Sequence, residues 1–205
     1  GHLMSASVMS APAALVVAKI IFPETARSNS QEVILSEEKS SVNAMDALGN
    51  GTIVGLKLAV NVGAMLISFI SIIALLNYFL GLLGFSIETI LGTIFRPLAW
   101  TMGIPWSESS AVGSLMGKKI VFTEFVAFAD LKSLMDSKEI SERAAIITSY
   151  ALCGFANFGS IGIQLGGIGG IAPKRRKEIA QLIFKAMIGG AIASWLTAAL
   201  AGILL

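Results

Sequence analysis

The sequence predicts an all-α membrane protein with about four spanning helices, one re-entrant helical hairpin, one interrupted helix and interfacial amphipathic helices. Three observations carry that expectation. The 205 residues are 55% apolar and only 14% charged, with a mean hydropathy of +0.79, whereas a soluble domain carries roughly 25% charge. Residues 58 to 87, 144 to 173 and 186 to 205 hold no charged side chain at all. Each run matches the roughly 20 helical residues that cross a hydrocarbon core of about 30 Å. Between them lies a stretch that is apolar at both ends yet contains five ionisable residues, which a simple spanning helix does not tolerate.

Taken in order, residues 1 to 22 form a membrane segment. It is uncharged over its first 18 positions apart from His2 but contains Pro12 and three serines, so a less regular helix is expected. It lacks the basic leader and cleavage site of a secretory signal. Because the chain is already inside an apolar segment at Gly1, we expect a fragment whose N-terminal half lies elsewhere. Phe22-Pro23-Glu24 ends the segment, and residues 23 to 52 read as a polar excursion followed by a short amphipathic helix with Asn43, Asp46 and Asn50. Residues 53 to 85, rich in Leu, Ile and Phe, read as one long tilted scaffold helix. Residues 86 to 103 suit a helix in the interface, with Trp100 and Trp106 at headgroup depth as anchors.

Residues 104 to 131 hold Glu108, Lys118, Lys119, Glu124 and Asp130 between apolar pieces of about 10 residues, each too short to span. A hairpin that enters and leaves on one side resolves this, with its turn expected near Gly113 to Lys119. Such backbone is tolerated only against protein or a water-filled cavity, and in transporters that is where substrates bind. Residues 144 to 172 contain seven glycines and the polar centre Asn157 to Ser160, so an interruption near Asn157 is expected. Residues 178 to 205 form the last helix, with Gly189, Gly190, Ala191 and Ala193 suited to close packing. The short basic run Lys174-Arg175-Arg176-Lys177 before it places that loop on the cytoplasmic side.

Several chemistries are disfavoured. A net charge of +2 without an aromatic-interleaved basic stripe gives no reason to expect nucleic acid. Cys153 is the single cysteine, so no disulfide or cysteine metal site forms within the chain. Gly113-Ser114-Leu115-Met116-Gly117-Lys118-Lys119 is not a phosphate loop: three residues rather than four separate the glycines, and Lys119 stands where Ser or Thr belongs. His2 has no second histidine with which to pair.

Glu124 is the sharpest candidate. A carboxylate between large apolar residues needs a cavity or a partner; it could accept hydrogen bonds from a polyol, since an ionised Glu offers about four acceptor sites, or it could pair structurally with Lys118 or Lys119. Asn157 and Ser160, three apart, would share a helix face and either line the same cavity or act as interhelical glue. Phe155 could stack on a sugar or base, or pack in a core.

The motifs Ser5-Ala6-Ser7-Val8-Met9-Ser10-Ala11-Pro12, Asn50-Gly51, Glu124-Phe125-Val126-Ala127 and Ala151-Leu152-Cys153-Gly154-Phe155-Ala156-Asn157-Phe158-Gly159-Ser160 stand in the order of the concentrative nucleoside transporter family, which the chain resembles from Gly1 to near Leu205. The resemblance implies a homotrimer in the plasma or bacterial inner membrane, in contact with lipid, carrying nucleosides inward with Na+ or H+ as coupling ion and no other cofactor. It also implies an elevator-type alternating-access mechanism and transport rather than enzymatic catalysis. By the same resemblance Glu124, Asn157 and Ser160 hold the ribose with Phe155 beside them, Pro12 lies near the nucleobase, and Ser7 and Val8 form part of a sodium site. Many family members carry Asn where Thr123 stands, and a first hairpin that reads the base would precede Gly1. The alternative is another polytopic membrane protein, a channel or a carrier of a different polar solute.

Overall fold

The computed structural model describes residues 1–24 and 42–205; most of the expected polar excursion lies outside the described residues. Among the described residues eight α-helices follow one another: α1 His2–Ile21, α2 Ala44–Gly81, α3 Ile87–Thr101, α4 Ser109–Val121, α5 Glu124–Asp136, α6 Glu142–Leu152, α7 Phe158–Ile171 and α8 Arg176–Leu204, with a 3-10 turn at Pro173–Arg175. The described residues contain no strand. Helices α1, α2 and the last turn-plus-helix, Pro173–Leu204, are long and apolar enough to cross a membrane.

The first helix is more regular than expected, because it runs through Pro12 without a break. Proline removes one backbone donor, which leaves the Val8 carbonyl without its helical partner, a loss that membrane helices absorb locally. Only Ala6, Ala13 and Val17 are buried, a narrow stripe that lies on α8 where Gly189 lets Val17 and Ile21 come close. The helix stops at Phe22, the residue that Pro23 disfavours in a helix.

The stretch read as a short amphipathic helix and the long scaffold helix are one element, α2. Asn43 caps it by accepting from the Asp46 backbone N–H at 2.8 Å, and neither Gly51 nor any proline interrupts it. Its 38 residues give a length of about 57 Å, beyond the hydrocarbon thickness, and only Ile73 is buried. It touches the remainder chiefly through α7. Asn77 Oδ1 accepts from the Ile87 N–H at 2.9 Å and so fixes where α3 begins.

Helix α3 lies against α4 with their backbones in contact: a Cβ on Gly113 would sit 2.5 Å from the Gly92 carbonyl oxygen and 2.9 Å from the Arg96 nitrogen. That contact corrects the expected position of the hairpin turn. Gly113 serves helix packing, Lys118 and Lys119 are still helical, and the chain reverses at Phe122–Thr123 between α4 and α5. Each arm of 13 residues is about 20 Å long, too short to span, and Lys118 pairs with Asp130 across the hairpin. Trp100 and Trp106 are exposed and meet edge to face, with the Arg96 guanidinium 4.4 Å from the Trp106 ring centre.

The main apolar core gathers α3, α4, α5, α6 and α8 with Ala6 of α1, and α6 is its centre, with Ala144, Ile147, Ala151 and Leu152 at 0% exposure. Ser141 caps α6, and Glu108 accepts from the Ser141 N–H and hydroxyl at 2.9 Å each, tying the start of the hairpin to the start of α6.

Candidate functional site

Between α6 and α7 the chain leaves the helix at Cys153 and re-enters it at Phe158. The interruption is built from Gly154, whose φ of +105° other residues rarely adopt, and from Asn157. Asn157 caps α7: its side-chain oxygen accepts from the Ser160 N–H at 2.8 Å, and the Ser160 hydroxyl accepts from the Asn157 N–H at 3.3 Å. A helix broken in this way exposes the negative end of one half and the positive end of the other.

The hairpin supplies a group for each end. Lys119, entirely buried, donates to the Ala151 carbonyl at 2.9 Å, the Cys153 carbonyl at 3.4 Å and the Ser194 hydroxyl of α8 at 2.9 Å. Glu124, the first residue of α5, is 7% exposed and accepts from Asn157 Nδ2 at 3.3 Å through Oε2. Its carboxylate therefore stands at the N-termini of both α5 and α7, where negative charge is favoured. Oε1 takes no protein hydrogen bond among the described residues. What this arrangement can do is accept hydrogen bonds from a polar ligand at the tip while the protein groups stay paired.

Glu124, Asn157 and Ser160 are thus brought together, with one difference from the expected picture. Asn157 and Ser160 spend most of their polar capacity on each other, so Glu124 and the second Nδ2 hydrogen are the groups left to offer. The proposed pairing of Glu124 with Lys118 or Lys119 does not occur, since the first pairs with Asp130 and the second binds backbone and Ser194. Phe155 is 69% exposed at the break and packs in no core. Beside it a cavity of about 270 Å³ is lined by Ser10, Cys153, Phe155, Ser160, Gln164 and Ser194, and neither Glu124 nor Pro12 lines it. Pro12 is exposed on α1. Ser7 Oγ lies 3.9 Å from Cys153 Sγ, and the Val8 side chain is exposed. The signal for Lys119 was present in the sequence, a second lysine in a segment too apolar to hold it free, but which groups it binds depends on α6 and α8.

Residues 2–202 match the family described as Na+ dependent nucleoside transporter C-terminus. The chain is 44% identical to the uncharacterized transporter YutK of Bacillus subtilis over 98% of this chain and 52% of that protein. To the nucleoside permease NupC of Helicobacter pylori it is 38% identical, covering 98% and 50%. With sodium/nucleoside cotransporter 1 of Mus musculus it shares 38% identity over 98% and 35%. It spans about half the length of these bacterial relatives. The structure superposes on a CNTnw variant in an outward-facing state with a TM-score of 0.88 at 38% identity, covering 99% of this chain and 50% of that one. Against CNTnw in an inward-facing substrate-bound state the TM-score is 0.75 at 39% identity, with 98% and 50% covered. With nearly every residue inside the match to that family's C-terminal model, this chain belongs to the Na+ dependent nucleoside transporter family.

Proposed function

We propose that the protein containing this chain takes up nucleosides together with sodium, and that this chain supplies the sugar-binding half of the substrate site. The observation that carries the reading is the Asn157 to Glu124 hydrogen bond at 3.3 Å, which joins a hairpin tip to a helix break and leaves a carboxylate oxygen for the ribose hydroxyls. Phe155 offers its exposed ring to the ligand. Specificity for the base, and most of the cation site, fall to segments outside this chain. Ser7, through its hydroxyl, and Val8, through the carbonyl that Pro12 leaves unpaired, are the points at which a cation would meet it. The named relatives NupC and sodium/nucleoside cotransporter 1 support nucleosides as the substrate class, and the family description supports sodium.

The mechanism we assign is alternating access of the elevator type in a homotrimer, with α2 in the fixed scaffold and the hairpin, α6, α7 and α8 moving with the substrate. Support comes from the packing: α2 meets the remainder mainly along one side of α7, where Gly162 and Gly166 approach its backbone, while the hairpin, α6 and α8 share one core and Ile161 of α7 packs on Ile183 and Met187 of α8. A channel would need a continuous pore; here the polar groups face a hairpin tip instead. The test is uptake of labelled uridine by the full-length protein in proteoliposomes. Accumulation against its gradient, driven by inward sodium, is expected; gradient-independent equilibration would leave the channel reading.

A further inference from the structure

Lys119 is a charged side chain at 0% exposure inside a membrane-embedded hairpin, and the sugar-binding reading gives it no task. Its ammonium has three hydrogens and meets three oxygens: the Ala151 carbonyl, the Cys153 carbonyl and the Ser194 hydroxyl. The first two belong to the frayed end of α6, where the last carbonyls of a helix have no intrahelical donor. Ser194 in turn donates to the Gly190 carbonyl at 3.0 Å, so the ammonium ties α4, the α6 end and α8 into one unit. Two backbone carbonyls and a hydroxyl around a single positive charge are also the ligands that an alkali cation would use. Here the cation is tethered.

The hairpin therefore grips both faces of the break from residues five apart. Lys119 holds the negative end of α6, and Glu124 holds the cap of α7. If the α6 end moved, Gly154 and Phe155 would move with it, and Asn157 would be carried away from Glu124.

We propose that Lys119 is a positioning residue for the substrate site, a built-in cation that fixes the helix break in its ligand-binding geometry and keeps the carbonyls of Ala151 and Cys153 unavailable to a coupling ion. It touches no substrate. The inference rests on the reading of the break as the nucleoside site, and the experiment separates the two.

The full-length transporter is prepared as wild type, Lys119→Met, which keeps the length of the chain without its charge, and Ser194→Ala, which removes one of three partners. Uridine KM and maximal uptake rate are measured, with a parallel KM for an analogue lacking the ribose hydroxyls. The rate of maleimide alkylation at Cys153 is followed on its own peptide by mass spectrometry, with and without uridine. For Lys119→Met the expected KM rises about tenfold, as for loss of a charge-assisted contact, and equally for uridine and the analogue. Cys153 should react several-fold faster than in wild type and lose its protection by uridine. Ser194→Ala should show the same pattern at about two- to fivefold, so the inference stays testable if the lysine variant does not fold. An unchanged KM and an unchanged Cys153 rate in either folded variant overturn the proposal, as does a lower melting temperature with both readouts unmoved. A KM loss confined to uridine would make Lys119 a direct sugar ligand and would also overturn it. If Glu124→Gln fails to distinguish uridine from the analogue, the sugar assignment falls, while the Cys153 readout still decides the role of Lys119.

Discussion

Glu124 is the residue on which the functional reading turns. Replacing it by Gln keeps the shape and one oxygen to accept from Asn157 Nδ2, but puts a donor amide where the other oxygen would accept from the ribose. Charge-assisted hydrogen bonds contribute about 1.5 to 3 kcal/mol, so uridine affinity should fall about tenfold or more. An analogue without the ribose hydroxyls should lose much less, because it never made the bond. Equal loss for both ligands, read from competition against labelled uridine, would leave Glu124 a structural partner only. Asn157→Ala removes the cap of α7 as well as the donor to Glu124. A lost cap costs about 1 kcal/mol, and thermal unfolding in detergent should register it beside the weaker binding. For Ser7→Ala the measured quantity is the sodium concentration at half-maximal uptake: it should rise, and an unaltered sodium dependence would remove Ser7 from the cation site.

At the scale of elements, the seam between α3 and α4 is a backbone-to-backbone contact that leaves no room for a side chain. A methyl group on Gly113 would meet backbone atoms at 2.5 and 2.9 Å, and backbone cannot yield as a side chain tip does. Gly113→Ala should therefore destabilise the hairpin by about 1 to 3 kcal/mol, the usual cost of overpacking, seen as a lower melting temperature of the purified transporter. Gly167, with nothing within 4 Å of its added Cβ, is the matched control and should accept Ala with little change. The glycines were visible in the sequence, but a glycine does not say whether it turns the chain or lets a helix approach. Gly154 turns it and Gly113 does not. The expected turn at Gly113 to Lys119 failed for that reason.

For the whole molecule, the charge of Lys174, Arg175, Arg176 and Lys177 predicts that the loop before α8 lies inside, by the positive-inside rule. Since α8 crosses once, Leu205 should emerge outside. An Arg175→Cys variant of the full-length protein should resist an impermeant thiol reagent applied to intact cells and react after permeabilisation; labelling from outside would reverse the topology.

The sequence alone determined that this is a helical membrane protein with a charged hairpin and a helix interrupted near Asn157. Long uncharged runs, short apolar arms and polar residues at depth each have few physical solutions in a bilayer. It also singled out Glu124, because an ionisable group in such a stretch is costly wherever it is not used. Only the tertiary structure decided what that carboxylate meets. The bond to Asn157 joins residues 33 apart in the chain, and Lys119 reaches Ser194 across 75. Such partnerships depend on how α4, α6 and α8 pack, and local pattern carries no record of that. The same holds for Gly113, which the backbone contact with Gly92 assigns to helix packing rather than to the hairpin turn, a requirement of two helices together that neither helix shows by itself.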